Sequence, residues 1–216
     1  MDKKTLNVPH IASLDDMHIE NIAVILEEQG TRRTIDSLNW SEHPYHPLTT
    51  FSIAHSGTHI YIDFFVRCNY LRAVNYENQS PVSQDSCVEF FVAPQCDNHY
   101  WNFEFNCIGA INASHRTERK NPNRLTDDEL SLVKRYASCG TKAFKEVEGL
   151  FTWNLTIAIP LEMLGLKYDG NPIKIAGNFY KCASATSQPH YLSWSPIETE
   201  KPDFHRPEFF GEIILL

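Results

Sequence analysis

Two short runs between Asp85 and Asn106 repeat with a period of two residues, and no other feature restricts the fold of this chain as much. In Tyr100–Asn106, Trp101, Phe103 and Phe105 fall on one side of an extended backbone, and Asn102, Glu104 and Asn106 fall on the other. In Asp85–Val92, Val88, Phe90 and Val92 share a side, and Glu89 takes the opposite one. Successive side chains of a strand leave opposite faces of its sheet, so each run is a strand with one face in a core. The second face gathers carboxylates and amides, which suit a polar, hydroxyl-rich ligand.

Other segments repeat the pattern. Ile60, Ile62, Phe64 and Val66 are in phase, and Ser56-Gly57 ahead of them reads as the turn of a hairpin. Trp153, Leu155, Ile157 and Ile159 alternate up to Pro160, and Leu161 to Gly165 then reads as one helical turn closed by glycine. Further strands are expected over 173–182, 191–194 and 209–216. Asn21 to Leu26 is a strand or a helix. Thr126-Asp127-Asp128-Glu129 has capping-box spacing for a short helix, or the stretch runs into a strand through 133–138. Segments 39–47 and 69–83 read as loops. Many short strands with hardly any helix predict an all-β, antiparallel β-sandwich with one or two short helices. A chain of 216 residues fits one such domain.

A formal charge of −8 argues against nucleic acid or an anionic membrane as the partner, since both need a cationic face. No apolar run approaches the length of a membrane span. Met1-Asp2-Lys3-Lys4-Thr5 is followed by polar and proline-containing sequence, which reads as a cytoplasmic chain without a signal peptide, or an extracytoplasmic one whose signal was removed. Six cysteines (Cys68, Cys87, Cys96, Cys107, Cys139, Cys182) include no Cys-x-x-Cys pair. Their scatter argues against zinc and against a disulfide scaffold, and leaves reduced thiols as the expectation. No nucleophile elbow, phosphate loop or His-Glu-x-x-His helix occurs.

The order of the segments carries a resemblance. Ile60–Val66, Asp85–Phe91, Asn102–Asn106 with Gly109, Trp153–Gly165, Gly177–Lys181, Leu192–Trp194 and Phe204–Gly211 follow one another over about residues 48–216 as in the family 9 carbohydrate-binding modules. The chain resembles most closely the family-9-like, DOMON-like domains common in Bacteroidetes. The resemblance implies a jelly-roll sandwich over 1–216, with 1–47 as an extended lead-in packed on it. It also implies non-catalytic binding of a sugar or glycan end, stacked between two tryptophans and held by charged and amide side chains. Calcium is a structural ion in some of these sandwiches, and the sequence marks no carboxylate cluster for it; no other cofactor is implied. Oligomeric state stays open.

Carried over residue by residue, the family's acidic strand residue falls on Glu89, a basic one on Glu104 with its charge reversed, and an amide on Tyr180, two positions after Asn178. The two tryptophans fall near Val82 and Phe204, while Trp194 matches a packing residue. Glu89, Asn102, Glu104, Asn178 and Tyr180 share the non-core parity and are the expected ligand face, with Phe204 and His205 in the adjoining loop; an ordinary solvated face is the alternative. Lys181 has the opposite parity, and reaches the ligand only if a bulge re-aims it; otherwise it neutralises a carboxylate. Trp101 and Trp153 read as core, Trp40 as a loop aromatic that either stacks on ligand or tucks under the sandwich. His190, Arg72, Arg116 and Arg206 are further polar candidates. A glycosidase needs two carboxylates about 5–5.5 Å apart for retention or about 6.5–9.5 Å for inversion, so Glu89 with Glu104 keeps a hydrolase as the alternative. A module that has lost sugar binding is the third reading.

Overall fold

The computed structural model describes residues 3–94, 99–117 and 120–216. Its strands are β1 (Thr5–Val8), β2 (Thr31–Thr34), β3 (Ser37–Leu38), β4 (Leu48–His55), β5 (His59–Ala73), β6 (Cys87–Ala93), β7 (Tyr100–Asn106), β8 (Ile111–Arg116), β9 (Asn123–Arg124), β10 (Lys134–Ala137), β11 (Phe144–Pro160), β12 (Ile173–Cys182), β13 (Tyr191–Ser193) and β14 (Gly211–Leu215). Helices α1 (Ile22–Gln29) and α2 (Asp127–Leu132) accompany them. Among the described residues one sheet runs β1-β14-β12-β6-β7-β8-β9, with β13 joined to β12 and β3 to β13; the other runs β10-β11-β5-β4-β2. The two sheets form the expected β-sandwich.

The in-phase apolar residues meet between the sheets. Phe51 of β4 stacks on Phe179 of β12 at 3.8 Å between ring centres, and Phe90 of β6 stacks on the same ring at 4.7 Å. Trp194 closes this cluster edge-on to Phe51 and Phe179. Trp153 is buried in the same core, and Trp101 is half-buried with its ring stacked on His115 at 4.1 Å.

Asn21 to Leu26, open between strand and helix in the sequence, falls in α1. Ile22 and Leu26, one helical turn apart, bury against Ala54, Tyr61 and Ala158 on the outer face of the second sheet. The first 47 residues therefore supply more than an extended lead-in, since β1 pairs in parallel with β14 and β2 edges β4. The capping box at Thr126 and Glu129 forms, and the chain then does both things left open there, a helix to Leu132 followed by β10. β5 and β11 run beyond their alternating cores, to Ala73 and back to Phe144. Register shifts between Phe144/Val147 and Glu148/Phe151 put bulges into β11, and in β5 the buried positions change parity between Cys68 and Leu71, which is why 69–73 reads as loop. Gly57 supplies the φ of +95° that turns β4 into β5.

Two predictions follow from this packing. A Cβ on Gly211 would lie 2.5 Å from the Trp194 ring and 2.7 Å from the Lys4 carbonyl, so Gly211→Ala is expected to lower stability by about 1–3 kcal/mol. Urea unfolding reads this as a lower midpoint at unchanged slope; an unshifted midpoint contradicts it. Asp63 of β5 is buried on the outer face of the second sheet, which raises its pKa to about 6 although Thr156 Oγ1 and Asn154 Nδ2 donate to it. The unfolded chain releases this proton near 3.8 and the folded chain near 6, so folding loses stability as pH rises between the two. At 1.36 kcal/mol per unit this amounts to about 3 kcal/mol, and subtracting the pH profile of Asp63→Asn from the wild type should isolate it. A flat difference between pH 3 and 7 would refute that assignment.

Candidate functional site

β12, β6, β7 and β8 lie side by side, and their register sets the outward side chains in rows. Tyr180 pairs with Glu89, Glu89 with Glu104, and Glu104 with Asn112. One row away Asn178, Phe91, Asn102 and Ser114 align, and on the other side Cys182, Cys87 and Asn106. This face is not open to solvent: Glu89 is 2% exposed, Glu104 6%, and Asn102 and Asn178 are fully buried. The segment after Trp194 crosses over it and brings Ile197, Phe204 and Phe210 down onto Phe91, Tyr100 and Tyr180. Trp40 tucks under this cover too, its indole N–H donating to the Thr199 carbonyl.

A recess of about 190 Å³ remains between sheet and cover. Glu89, Glu104 and Cys182 lie at its floor, with Tyr191, Phe204, His205 and Asp203 among its walls. Four of the eight residues expected at the site, Glu89, Glu104, Phe204 and His205, line this space. Asn102, Asn178 and Tyr180 stand behind it. Asn178 donates to the Ser195 carbonyl and accepts from the Ser195 and Phe179 amides, at 2.8–2.9 Å, which uses up its side chain in holding the cover. Tyr180 lies flat under Phe204 at 4.2 Å and donates to the Phe204 carbonyl.

Lys181 does not reach the recess. The pairing of β12 runs through Lys181 with no bulge, so it keeps its inward parity. Its buried ammonium donates to the Cys182 carbonyl and lies 2.9 Å from His190 Nε2, and burial pushes its pKa down. Its partners are thus a carbonyl and an imidazole rather than a carboxylate. Arg116 Nε donates to Asn102 at 2.6 Å, and Arg72 pairs with Asp85 at 3.1 Å, where the backbone enters β6.

The two glutamates sit in different surroundings. Glu104 accepts from Asn102 Nδ2 (3.0 Å) and Asn112 Nδ2 (2.9 Å), and the Arg116 charge acts on it nearby. Burial still outweighs these partners and raises its pKa. Glu89 receives its hydrogen bonds from the thiols of Cys182 (3.1 Å) and Cys87 (3.7 Å). Burial, with the nearby negative charge that Cys182 and Glu104 can carry, holds its carboxyl well above the ordinary range. Cys182, Tyr191 and Asp203 escaped the sequence reading. Cys182 shares the outward parity of Tyr180, a signal that the strand pattern carried; nothing in the loop around Asp203 marked it. Cys96 lies outside the described residues.

No helix among the described residues is long and apolar enough to cross a membrane. The sequence model of carbohydrate-binding family 9 matches residues 20–215. A candidate carbohydrate-binding protein from Bacteroides uniformis ATCC 8492 is 34% identical, with a TM-score of 0.93 and 99% of each chain covered. A family 9 carbohydrate-binding module from Caldicellulosiruptor kristjanssonii in complex with glucose has a TM-score of 0.59 at 14% identity, covering 97% of this chain and 94% of that one. Its cellotriose complex gives 0.59 at 13%, covering 97% and 92%. These two likenesses speak for the fold alone. No curated relative matches. The family match takes in α1 and β2, ahead of the segments that carry the resemblance from residue 48 on, and the chain belongs to carbohydrate-binding family 9.

Proposed function

We propose that the protein binds a carbohydrate without turning it over, and that one sugar unit enters the recess above Glu89 and Glu104. The observation that carries the reading is the juxtaposition, in a chain of this family, of two carboxyl groups at the floor with aromatic rings in the wall. Carboxyl oxygens accept from hydroxyls, and the exposed margins of Tyr191 and Phe204 offer apolar surface to the C–H face of a ring. A space of about 190 Å³ is small for a ligand site and suits a single sugar unit rather than a long stretch of glycan. The Caldicellulosiruptor modules bind glucose and cellotriose, which makes these the first probes.

A hydrolase remains the competing reading because Glu89 and Glu104 face each other across β6 and β7. What favours binding is the carbohydrate-binding family to which the chain belongs, together with a recess floor where both carboxyls lie buried beside aromatic rings.

The reading is tested by calorimetric titration with glucose and cellotriose, extended to a glycan array. Phe204→Ala and Glu104→Gln are each expected to weaken binding at least tenfold, about 1.4 kcal/mol, with thermal unfolding checking that the variants fold. Silence across the array, or full affinity in both folded variants, sinks the proposal. Hydrolysis of an aryl glycoside that is lost in Glu104→Gln would favour the enzyme instead.

A further inference from the structure

Cys87 and Cys182 are 95 positions apart in the chain, yet they are direct partners across β6 and β12. Glu89 lies two residues along β6 on the same face, so its carboxylate stands beside both sulfurs. One donor atom from each of the three lies within 4.8 Å of the others, and all three residues are buried. Among the described residues this is the one group of three or more His, Cys, Asp and Glu side chains with donor atoms so gathered.

The polar partners of Glu89 are weak ones. Burying a carboxylate is costly unless a cation or strong donors compensate. Glu104 has two amides and the neighbouring Arg116; Glu89 has two thiols, which are weak donors. Lys181 points to the other side of the sheet, where it donates to the Cys182 carbonyl and meets His190; its charge acts on the two sulfurs but makes no bond to Glu89. We infer that Cys87, Cys182 and Glu89 form a binding site for a borderline-soft divalent cation of the zinc class, with its fourth position turned toward the recess.

The spacing suits that ion. Zinc bonds of about 2.3 Å to sulfur and about 2.1 Å to oxygen in a tetrahedron set S···O at about 3.6 Å. The sulfur-to-Oε1 distances are 3.1 Å for Cys182 and 3.7 Å for Cys87, so only small side-chain adjustments are required. Calcium, the ion implied by the family resemblance, takes six to eight oxygen ligands, and two thiolates with one carboxylate do not fit it. Three protein ligands and a fourth position beside Glu104 make an open site, because Glu89 and Cys182 both border the recess. The inference stands apart from the sugar reading, and its readout is spectroscopic.

The test takes the full chain, reduced and stripped of metal, and titrates it with Co²⁺ without oxygen. Thiolate-to-cobalt charge-transfer absorption and the strong visible bands of tetrahedral cobalt should rise to one equivalent and be displaced by Zn²⁺. The bands should vanish in Cys87→Ser/Cys182→Ser and persist in Cys139→Ser. Glu89→Gln should weaken cobalt binding by more than the roughly 10–100-fold lost with an outer-shell partner. Should the double variant not fold, alkylation of the wild type serves: Zn²⁺ should protect Cys87 and Cys182 and leave Cys139 unprotected. Absence of thiolate bands, bands that survive the double substitution, or zinc without effect on alkylation would overturn the site. So would a Cys87–Cys182 disulfide formed in air by a chain that takes up no cobalt when reduced.

Discussion

The side chain of Asn178 fastens the cover of the recess to its floor. Its amide donates to one carbonyl and accepts from two backbone N–H groups, so both polar atoms are satisfied in a fully buried position. Two of those bonds go to Ser195, at the point where the chain leaves Trp194 and turns back over the sheet. Once Ser195 is fixed, Phe204 meets Tyr180 face to face, and Trp40 and Tyr191 close around it. A buried amide bonded through both its oxygen and its nitrogen specifies one geometry, and an apolar residue here would leave the Ser195 amide without its partner and the Ser195 carbonyl with the Ser193 hydroxyl as its remaining donor. The recess exists because this segment is held over the glutamates at a fixed distance.

That cover changes the chemistry beneath it. On an open sheet face Glu89 and Glu104 would be solvated and ionised at neutral pH. Under the cover both resist ionisation, and they do so unequally. Glu104 sits at the end of a chain in which Arg116 holds Asn102 and Asn102 holds the carboxyl, so its orientation is set by neighbours on β7 and β8. Glu89 lacks such support and borders sulfur. Two residues that look equivalent as a cross-strand pair therefore differ in the company each keeps: one is braced by amides, the other is poised for a proton or a cation.

How far the sequence discloses this follows from what a period of two can encode. The parity of Glu89, Asn102, Glu104, Asn178 and Tyr180 places them on one face, and the structure has them there. Parity is silent about what lies over a face, so the cover of residues after Trp194, and with it the retreat of Asn178 and Tyr180 behind the recess, was not legible. Lys181 shows the same rule from the other side, since a regular strand gave its inward direction and only a bulge would have reversed it. Where bulges do occur, in β11, the alternation lapses, and in β5 the buried positions change parity between Cys68 and Leu71, so that 69–73 reads as loop. The pairing of Cys87 with Cys182 escaped a spacing argument because its ligand geometry comes from strand register, not from neighbours in the chain.

The aromatic residues of this end have been put to a different use from the tryptophan sandwich that the family resemblance implies. Phe204, near one tryptophan position, spends one face on Tyr180 and is 9% exposed; Val82, near the other, is fully buried. Flat rings are present, but most of their area is committed to holding the cover rather than left free for a ligand. In the proposed site, ring margins on one side would take the place of stacking from two, and the polar floor would supply more of the discrimination. Such a site gains selectivity from hydrogen bonds that a wrong sugar leaves unmade, each costing about 1–3 kcal/mol, rather than from apolar area, which any pyranose would fill alike.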